Sequence, residues 1–419
     1  MTEKNLPLPS DELKALAGKV GTPFHIYDGR AIAENARAFY RAFSWSEGFI
    51  NYFAVKALPN INILRLLARE GFGADCSSLP ELKLASMAGL KGSQIMFTSN
   101  DTPDEEFREA YRLNAVINLD DITHIEAVKR ACGALPETIS FRFNPGRERT
   151  GNAIIGNPVE AKYGVTRDQL FDCYRIARSE GVKHFYLHTM VASNELNADY
   201  IVETARMLFS LVKEIKEKTG VEIEKLDLGG GVGIPYRPED DRISFDYLGT
   251  EIHKLYDSMI LGEGLKPVSL SFECGRCMTG PYGWLVSTAL HVTKKYKDYV
   301  GLDSCMADLM RPALYGAYHH ITVLGKEDAP RGHVYDVTGS LCENNDKFAV
   351  DRALPEVEPG DILVIHDTGA HGFSMGFNYN AKLRHAEYLI NEDATISCIR
   401  RAETFEDYIS TMLFDPRRI

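Results

Sequence analysis

The 419-residue sequence lacks any apolar run approaching the roughly 18 residues of a membrane-crossing helix, so a transmembrane chain is not expected. It also lacks an excess of basic charge. Its 47 Lys and Arg stand against 59 Asp and Glu, and the net charge of −12 argues against nucleic-acid and anionic-membrane partners. Cysteine is sparse: eight in a chain of this length make no disulfide framework. No internal repeat or low-complexity segment is visible. The opening MTEKNLPLPSDELKALAGK is acidic and polar, where a secretory signal would be basic and then apolar. What remains is an ordinary globular composition, 44% hydrophobic and 25% charged, and the expectation is a cytoplasmic enzyme.

One cysteine pattern requires a decision. Cys274-Gly275-Arg276-Cys277 has the C-x-x-C spacing of redox and zinc sites. A structural zinc site would need a second pair, and downstream Cys305, Cys342 and Cys398 stand alone. No metal is expected.

Short β-rich runs alternate with longer amphipathic stretches. The runs fall at about 49–55, 72–75, 94–99, 115–119, 138–143, 184–189, 224–228 and 268–273, with helical patterns such as NILRLLAREG between them. Eight such alternations are what a closed (β/α)8 barrel requires, and a barrel absorbs roughly 250 residues as one domain. After about residue 280 the texture becomes β-rich, with WLVSTALHVTKKY, YVGLD, HHITVLG, HVYDVTG and DILVIHD joined by turns. The expected fold class is α/β: a (β/α)8 TIM-like barrel over 30–280 plus an antiparallel β domain from 281–419 and 1–29, where TPFHIYD reads as a strand.

In such a barrel the active site lies at the carboxyl ends of the strands. Those ends carry Lys56 at the first strand, Asp75 at the second, and His188 followed by Ser193 at the sixth. Gly229-Gly230-Gly231 follows the seventh strand, and Glu273 then Gly275-Arg276 ends the eighth. Lys56 stops the apolar run of NYFAVKALPN. A lysine there can simply mark where a strand meets water, or it can be a reactive amine at a pocket rim. The glycines of the last two loops fit a phosphate cradle, since bare backbone brings N–H donors close to an anion, although a tight turn would ask for the same glycines. Pyridoxal phosphate (PLP) needs a Schiff-base lysine, a phosphate cradle and a partner for its pyridine nitrogen. Lys56, residues 229–231 and Glu273 supply one of each.

Longer motifs point the same way: YFAVKA around Lys56, LDLGGGVGIPY at 226–236, DLMRPALYGAYH at 308–319 and SLCENNDKFAVDRALPEVEPGD at 340–361. With them the chain resembles, nearly end to end, the PLP decarboxylases of the alanine-racemase fold, and within them the diaminopimelate decarboxylase family. The resemblance implies that Lys56 bonds the cofactor's aldehyde and that Gly230, Gly231, Ser193 and the Gly275-Arg276 backbone hold its phosphate. Glu273 would meet the pyridine nitrogen, and Asp75 would pair with Lys56 or its neighbours. Arg276, Arg311 and Tyr315 would grip the distal end of the substrate, with Glu343 on its distal ammonium. Cys342 would protonate the α-carbon after CO2 leaves. In the family Cys342 and Glu343 reach into a partner's site, so a homodimer with shared active sites is implied. The implied reaction converts meso-2,6-diaminopimelate to L-lysine and CO2, the last step of lysine biosynthesis.

Three positions depart from the family pattern. Met190-Val191-Ala192-Ser193 replaces an H-I-G-S motif whose histidine stacks on the cofactor ring, leaving His188 two residues earlier as the cofactor-side histidine. Cys274 stands where proline is usual, and His371 where a tyrosine touches the phosphate. Other readings of the same residues are a decarboxylase for another basic or D-amino acid (ornithine, lysine, arginine or carboxynorspermidine), a racemase, a Schiff-base aldolase and a PLP-binding regulatory protein. A racemase would need a second base opposite Lys56. An aldolase leaves Cys342-Glu343 unexplained, and the regulatory proteins are typically the barrel alone.

Overall fold

The computed structural model describes residues 4–151 and 156–414. The chain divides into two compact units, one of residues 32–235 and 241–278, the other of 1–31, 236–240 and 279–419.

After β1 (Phe24–Asp28), which belongs to the second unit, eight strands form the first: β2 (Ile50–Ala54), β3 (Gly73–Cys76), β4 (Ile95–Ser99), β5 (Val116–Leu119), β6 (Thr138–Phe143), β7 (His184–Thr189), β8 (Ile223–Asp227) and β9 (Ser269–Phe272). They pair in chain order, all parallel, and β9 closes on β2 through Ile50↔Ser271 and Asn51↔Phe272. Because both faces of such strands are covered, they read as nearly unbroken apolar runs rather than alternating ones. Phe53, Ile117, Phe141, Leu187, Leu226 and Leu270 are all fully buried. Burying each such side chain stabilises the fold by about 1.5–3 kcal/mol.

The helices follow local signals. The longest, Ala198–Thr219, starts at Asn197, whose side chain accepts the Asp199 N–H, and ends at Gly220 in the left-handed conformation (φ 67°). Its buried stripe, Ile201, Ala205, Leu208, Val212 and Ile215, has the spacing of three and four that one helix face requires. The helix Ile61–Arg69 is capped in the same way by Asn60, directly after the turn that carries Lys56.

The register of the barrel has one consequence for chemistry. Arg142 of β6 aligns with His188 of β7, His188 with Asp227 of β8, and Asp227 with Ser271 of β9. One row across half the barrel is therefore polar and buried.

The second unit holds β10 (Gly283–Lys294), β11 (Asp298–Leu302), β12 (Ile321–Val323), β13 (His333–Thr338), β14 (Lys347–Leu354), β15 (Ile362–Ile365), β16 (Ala386–Ile390) and β17 (Ile396–Arg400). The sheet runs β14-β13-β11-β10-β1-β16-β17, with β15 joined to β10 and β12. It is mostly antiparallel, as expected from the sequence, but β1 with β16 and β11 with β13 are parallel pairs. Leu285, Val300, Val337, Leu363 and Ile365 form its core. Among the described residues, no helix is long and apolar enough to cross a membrane.

Candidate active site

Two of the strand ends that differ from the sequence reading place the key groups. β2 stops at Ala54, and Lys56 lies on a following 3-10 turn, Val55–Ala57. β9 stops at Phe272, so Glu273 is the first residue of the loop. Lys56 thus stands beyond the strand ladder, whereas Glu273 is still tied across it, its N–H donating to Gly229 O at 2.8 Å. Gly275 packs against the lysine turn: a Cβ there would lie 2.8 Å from Ala57 Cβ and 3.1 Å from Ala54 Cβ.

These residues open on a cavity of about 390 Å3 at the strand ends, lined by Lys56, Asp75, Arg142, His188, Met190, Ser193 and Glu273, with Thr98 and Tyr163. Lys56 Nζ is 3.9 Å from Asp75 Oδ2; the lysine side chain is 56% exposed and the aspartate 2%. His188 Nδ1 pairs with Asn118 Nδ2 at 2.8 Å, and the same Nδ2 donates to Thr98 Oγ1 at 3.1 Å. An amide nitrogen is a donor, so Nδ1 accepts and the proton of the neutral ring sits on Nε2. Nε2 is 3.2 Å from Glu273 Oε2 without the alignment of a hydrogen bond. Asp227 accepts the Gly229 N–H at 2.8 Å and the Ser271 hydroxyl at 3.0 Å. Arg142 donates to Asp120 at 3.2 Å and lies 4.4 Å from the Tyr163 ring centroid.

The electrostatics are those of carboxylates held out of water. Burial pushes Asp75 well above the ordinary carboxylate range, and the like charge of Glu273 adds to it against the pull of Lys56 and Arg142. Burial raises Glu273 too, with Lys56 and Arg142 drawing it back. Asp227 is raised by burial and by Glu273, opposed by His188 and its own hydrogen bonds. Burial above all lowers His188 to about 4, which leaves its imidazole neutral at pH 7.

A pyridoxal group fits this set. Glu273 Oε1 and Asp75 Oδ1 are buried without a hydrogen-bond partner. Such acceptors suit a protonated ring nitrogen and a cationic lysine beside it. The volume lies in the range of small-ligand pockets. The glycines play a more local part than a phosphate cradle alone. Gly231 has φ +95°, and a Cβ there would sit 2.6 Å from Ala192 O; one on Gly230 would sit 2.7 Å from Glu273 O. The Gly230 N–H donates to Met190 Sδ at 3.2 Å, so the thioether ties this loop to the one after β7.

The remaining residues singled out in the sequence lie in the second unit, apart from Arg276, which opens a short helix, Arg276–Thr279. Arg311 is buried, meets His319 Nε2 at 2.8 Å and packs 4.3 Å from the Tyr236 ring. Tyr315, at the end of the short helix Arg311–Tyr315, is half-exposed. Cys342 is an exposed free thiol whose backbone N–H donates to Asn380, and Glu343 accepts the Asn345 N–H. His371 holds a left-handed backbone, φ 56°. The sequence reading missed Asn118, Asp120 and Asp227, and left Arg142 without a role. For Asn118, Arg142 and Asp227 the local signal is a polar residue inside an apolar strand; Asp120 directly follows β5.

A (β/α)8 barrel with a lysine and buried carboxylates at its strand ends, in a chain that also carries a mostly antiparallel β domain, is the arrangement a PLP-dependent barrel enzyme requires. More narrowly, the chain belongs to the pyridoxal-dependent decarboxylases, whose pyridoxal-binding domain matches residues 30–280, and it is a PLP-dependent amino-acid decarboxylase. It is 41% identical to protein TabA of Pseudomonas amygdali pv. tabaci over 96% of this chain and 94% of that protein. It is 35% identical to the diaminopimelate decarboxylase of Methanothermobacter thermautotrophicus over 94% and 92%. The crystal structure of the M. jannaschii diaminopimelate decarboxylase in complex with L-lysine superposes with a TM-score of 0.88 at 30% identity, covering 96% of this chain and 94% of that one.

Proposed function

We propose that this protein decarboxylates meso-2,6-diaminopimelate to L-lysine and CO2, as a cytoplasmic homodimer. The observation that carries the reading is Lys56 beside the buried, unpartnered carboxylate oxygens of Asp75 and Glu273, in a chain similar to diaminopimelate decarboxylases over more than nine-tenths of its length. PLP, when bound, supplies an aldehyde for the substrate amine and a protonated ring that takes up electrons.

The chain's own residues supply the rest. Lys56 is the attachment lysine, and Glu273 keeps a proton on the ring nitrogen, with His188 beside its other oxygen. Ser193, Gly230, Gly231, the Gly275-Arg276 backbone and His371 are assigned to the cofactor. Arg276 and Arg311 suit the distal carboxylate, since each offers a planar fork of donors. Glu343 suits the distal ammonium, and Tyr315 joins them. The bond from the α-carbon to its carboxylate breaks, CO2 leaves, and the Cys342 thiol gives the α-carbon its proton. Residues 30–280 are the cofactor-binding domain in this reading. Residues 1–29 and 281–419 carry Cys342 and Glu343 into the partner's site.

A second reading is favoured by the 41% identity to TabA, above the 35% to a diaminopimelate decarboxylase: the same chemistry on another basic or D-amino acid. One set of assays separates them. Purified protein loaded with PLP is expected to absorb in the visible and, after borohydride, to carry the added mass on Lys56. CO2 release from meso-diaminopimelate should then exceed that from lysine, ornithine, arginine and carboxynorspermidine. A colourless protein that PLP does not activate refutes the cofactor site; faster turnover of another substrate refutes the substrate.

A further inference from the structure

The second unit carries a second concavity, of about 490 Å3, whose lining includes Pro312, Ala313 and Gly316 beside Arg311 and Tyr315, and Asn345 beside Glu343. Its wall combines Arg237, Tyr318, Lys347 and Arg352 with the apolar Pro312 and Phe348. The Arg352 guanidinium lies 4.1 Å from the Tyr318 ring centroid and that of Arg237 lies 4.6 Å from it, so one tyrosine ring positions two cations. Stacking occupies the faces of a guanidinium and leaves its N–H edge for a planar anion.

The charges around them do not balance. Lys347 is engaged by Asp336 at 3.0 Å, and Asp351 turns to Lys297 at 2.7 Å. Arg237 has a loose, exposed pair with Glu239 at 3.7 Å. Arg352, half-buried, donates to the His319 carbonyl at 2.8 Å, and among the described residues no carboxylate pairs with it. Burial lowers its pKa, and the nearby Arg237 and Arg331 lower it further, against the pull of Tyr318. A half-buried cation among like charges is costly unless a counter-charge joins it. In a protein of net charge −12 such a cluster is not a by-product of a basic surface.

We propose that this concavity is an anion-binding site, taking a carboxylate or phosphate group between Arg237 and Arg352 with an apolar body against Pro312 and Phe348. The occupant is a free small anion, recognised by the guanidinium edges of Arg237 and Arg352.

The test uses the PLP-loaded protein, so that cofactor phosphate does not compete. Inorganic phosphate and succinate are titrated calorimetrically in low-chloride buffer. Arg352→Gln and Arg237→Gln are titrated alongside, and their visible absorbance confirms folding. The mass in solution of all three proteins is followed by light scattering across a dilution series. One saturable site per chain in the wild type, weakened at least about tenfold in each variant, supports the site with a free anion. No small-anion binding overturns the proposal even where both variants dissociate an oligomer, because that loss belongs to the homodimer proposed above. No saturable binding together with an unchanged oligomeric state overturns the proposal, as does binding that both variants retain.

Discussion

Replacing Gly275 with alanine tests how the barrel holds its lysine. The new methyl would stand 2.8 Å from Ala57 Cβ and 3.1 Å from Ala54 Cβ, on the segment that carries Lys56. Carbon atoms pack best about 3.5–4.0 Å apart, so the closer contact is short by about 0.7 Å or more. Gly275 is outside the left-handed region, and alanine therefore brings no backbone penalty; the effect is steric alone. Overpacking of this kind costs about 1–3 kcal/mol, roughly 5- to 150-fold in an equilibrium constant at 1.36 kcal/mol per tenfold. A reacting group displaced by about 1 Å can lose about 10²-fold in rate. The expected result is a lower melting temperature and a kcat reduced by roughly 10- to 100-fold, with less borohydride-fixed mass at Lys56. The double variant Gly275→Ala/Ala57→Gly removes the methyl at 2.8 Å and should recover most of both losses. An undisturbed single variant refutes the steric reasoning. So does an impaired single variant that the second substitution leaves unrepaired, because the loss then belongs to a phosphate contact of the Gly275 backbone.

Cys342→Ala should keep the visible absorbance and decarboxylate about 10² to 10⁴ times more slowly in steady-state CO2 release; an unchanged rate removes the thiol from the proton step. Asp227→Asn and Asp336→Asn should move stability in opposite directions with pH, read as melting temperature from about pH 2.5 to 8.5. Asp227 is buried with its pKa raised, so its charge costs stability above the ordinary aspartate pKa; asparagine should gain on wild type at pH 8.5, and the gain should shrink as pH falls. Asp336 is also fully buried, but hydrogen bonds from Lys297, the Asp351 N–H and Lys347 outweigh burial and hold its pKa below the usual range. Its contribution is therefore present at neutral pH and lost on acidification, so the deficit of Asp336→Asn should close below about pH 4. Because both lysines are partly exposed, that deficit should stay below the roughly 3–5 kcal/mol of a fully buried broken pair.

The barrel strands were legible because a strand covered on both faces is an apolar run bounded by turns, and each of the eight lies within about two residues of its reading. β14, β16 and β17 were not. β17 is exposed along nearly its whole length, and KFAVDRAL of β14 mixes buried Phe348 and Ala349 with exposed Val350 and Asp351. Edge strands of this kind carry no clean period, and their pairing is set by the neighbour they join. Two parallel pairs inside a domain read as antiparallel have the same origin, since strand direction follows from the path of the chain and not from composition.

Of the residues lining the barrel cavity, Lys56, Asp75 and Glu273 were visible because each interrupts or ends an apolar run at the carboxyl ends of the strands. That much follows from order along the chain. The tertiary structure decided what surrounds them. Asn118, Arg142, His188 and Asp227 lie on four different strands, and only the register of parallel pairing sets Arg142 against His188 and His188 against Asp227. The proton position on His188, the raised carboxylates and the Met190 tie to Gly230 all arise from burial and from distances of about 3 Å across the barrel. The sequence alone determined which chemistry the strand ends can host, because residue type and strand period are local. The state of the groups lining the cavity is a property of the closed barrel, because electrostatic and hydrogen-bond energies depend on which atoms meet and how much water is left between them.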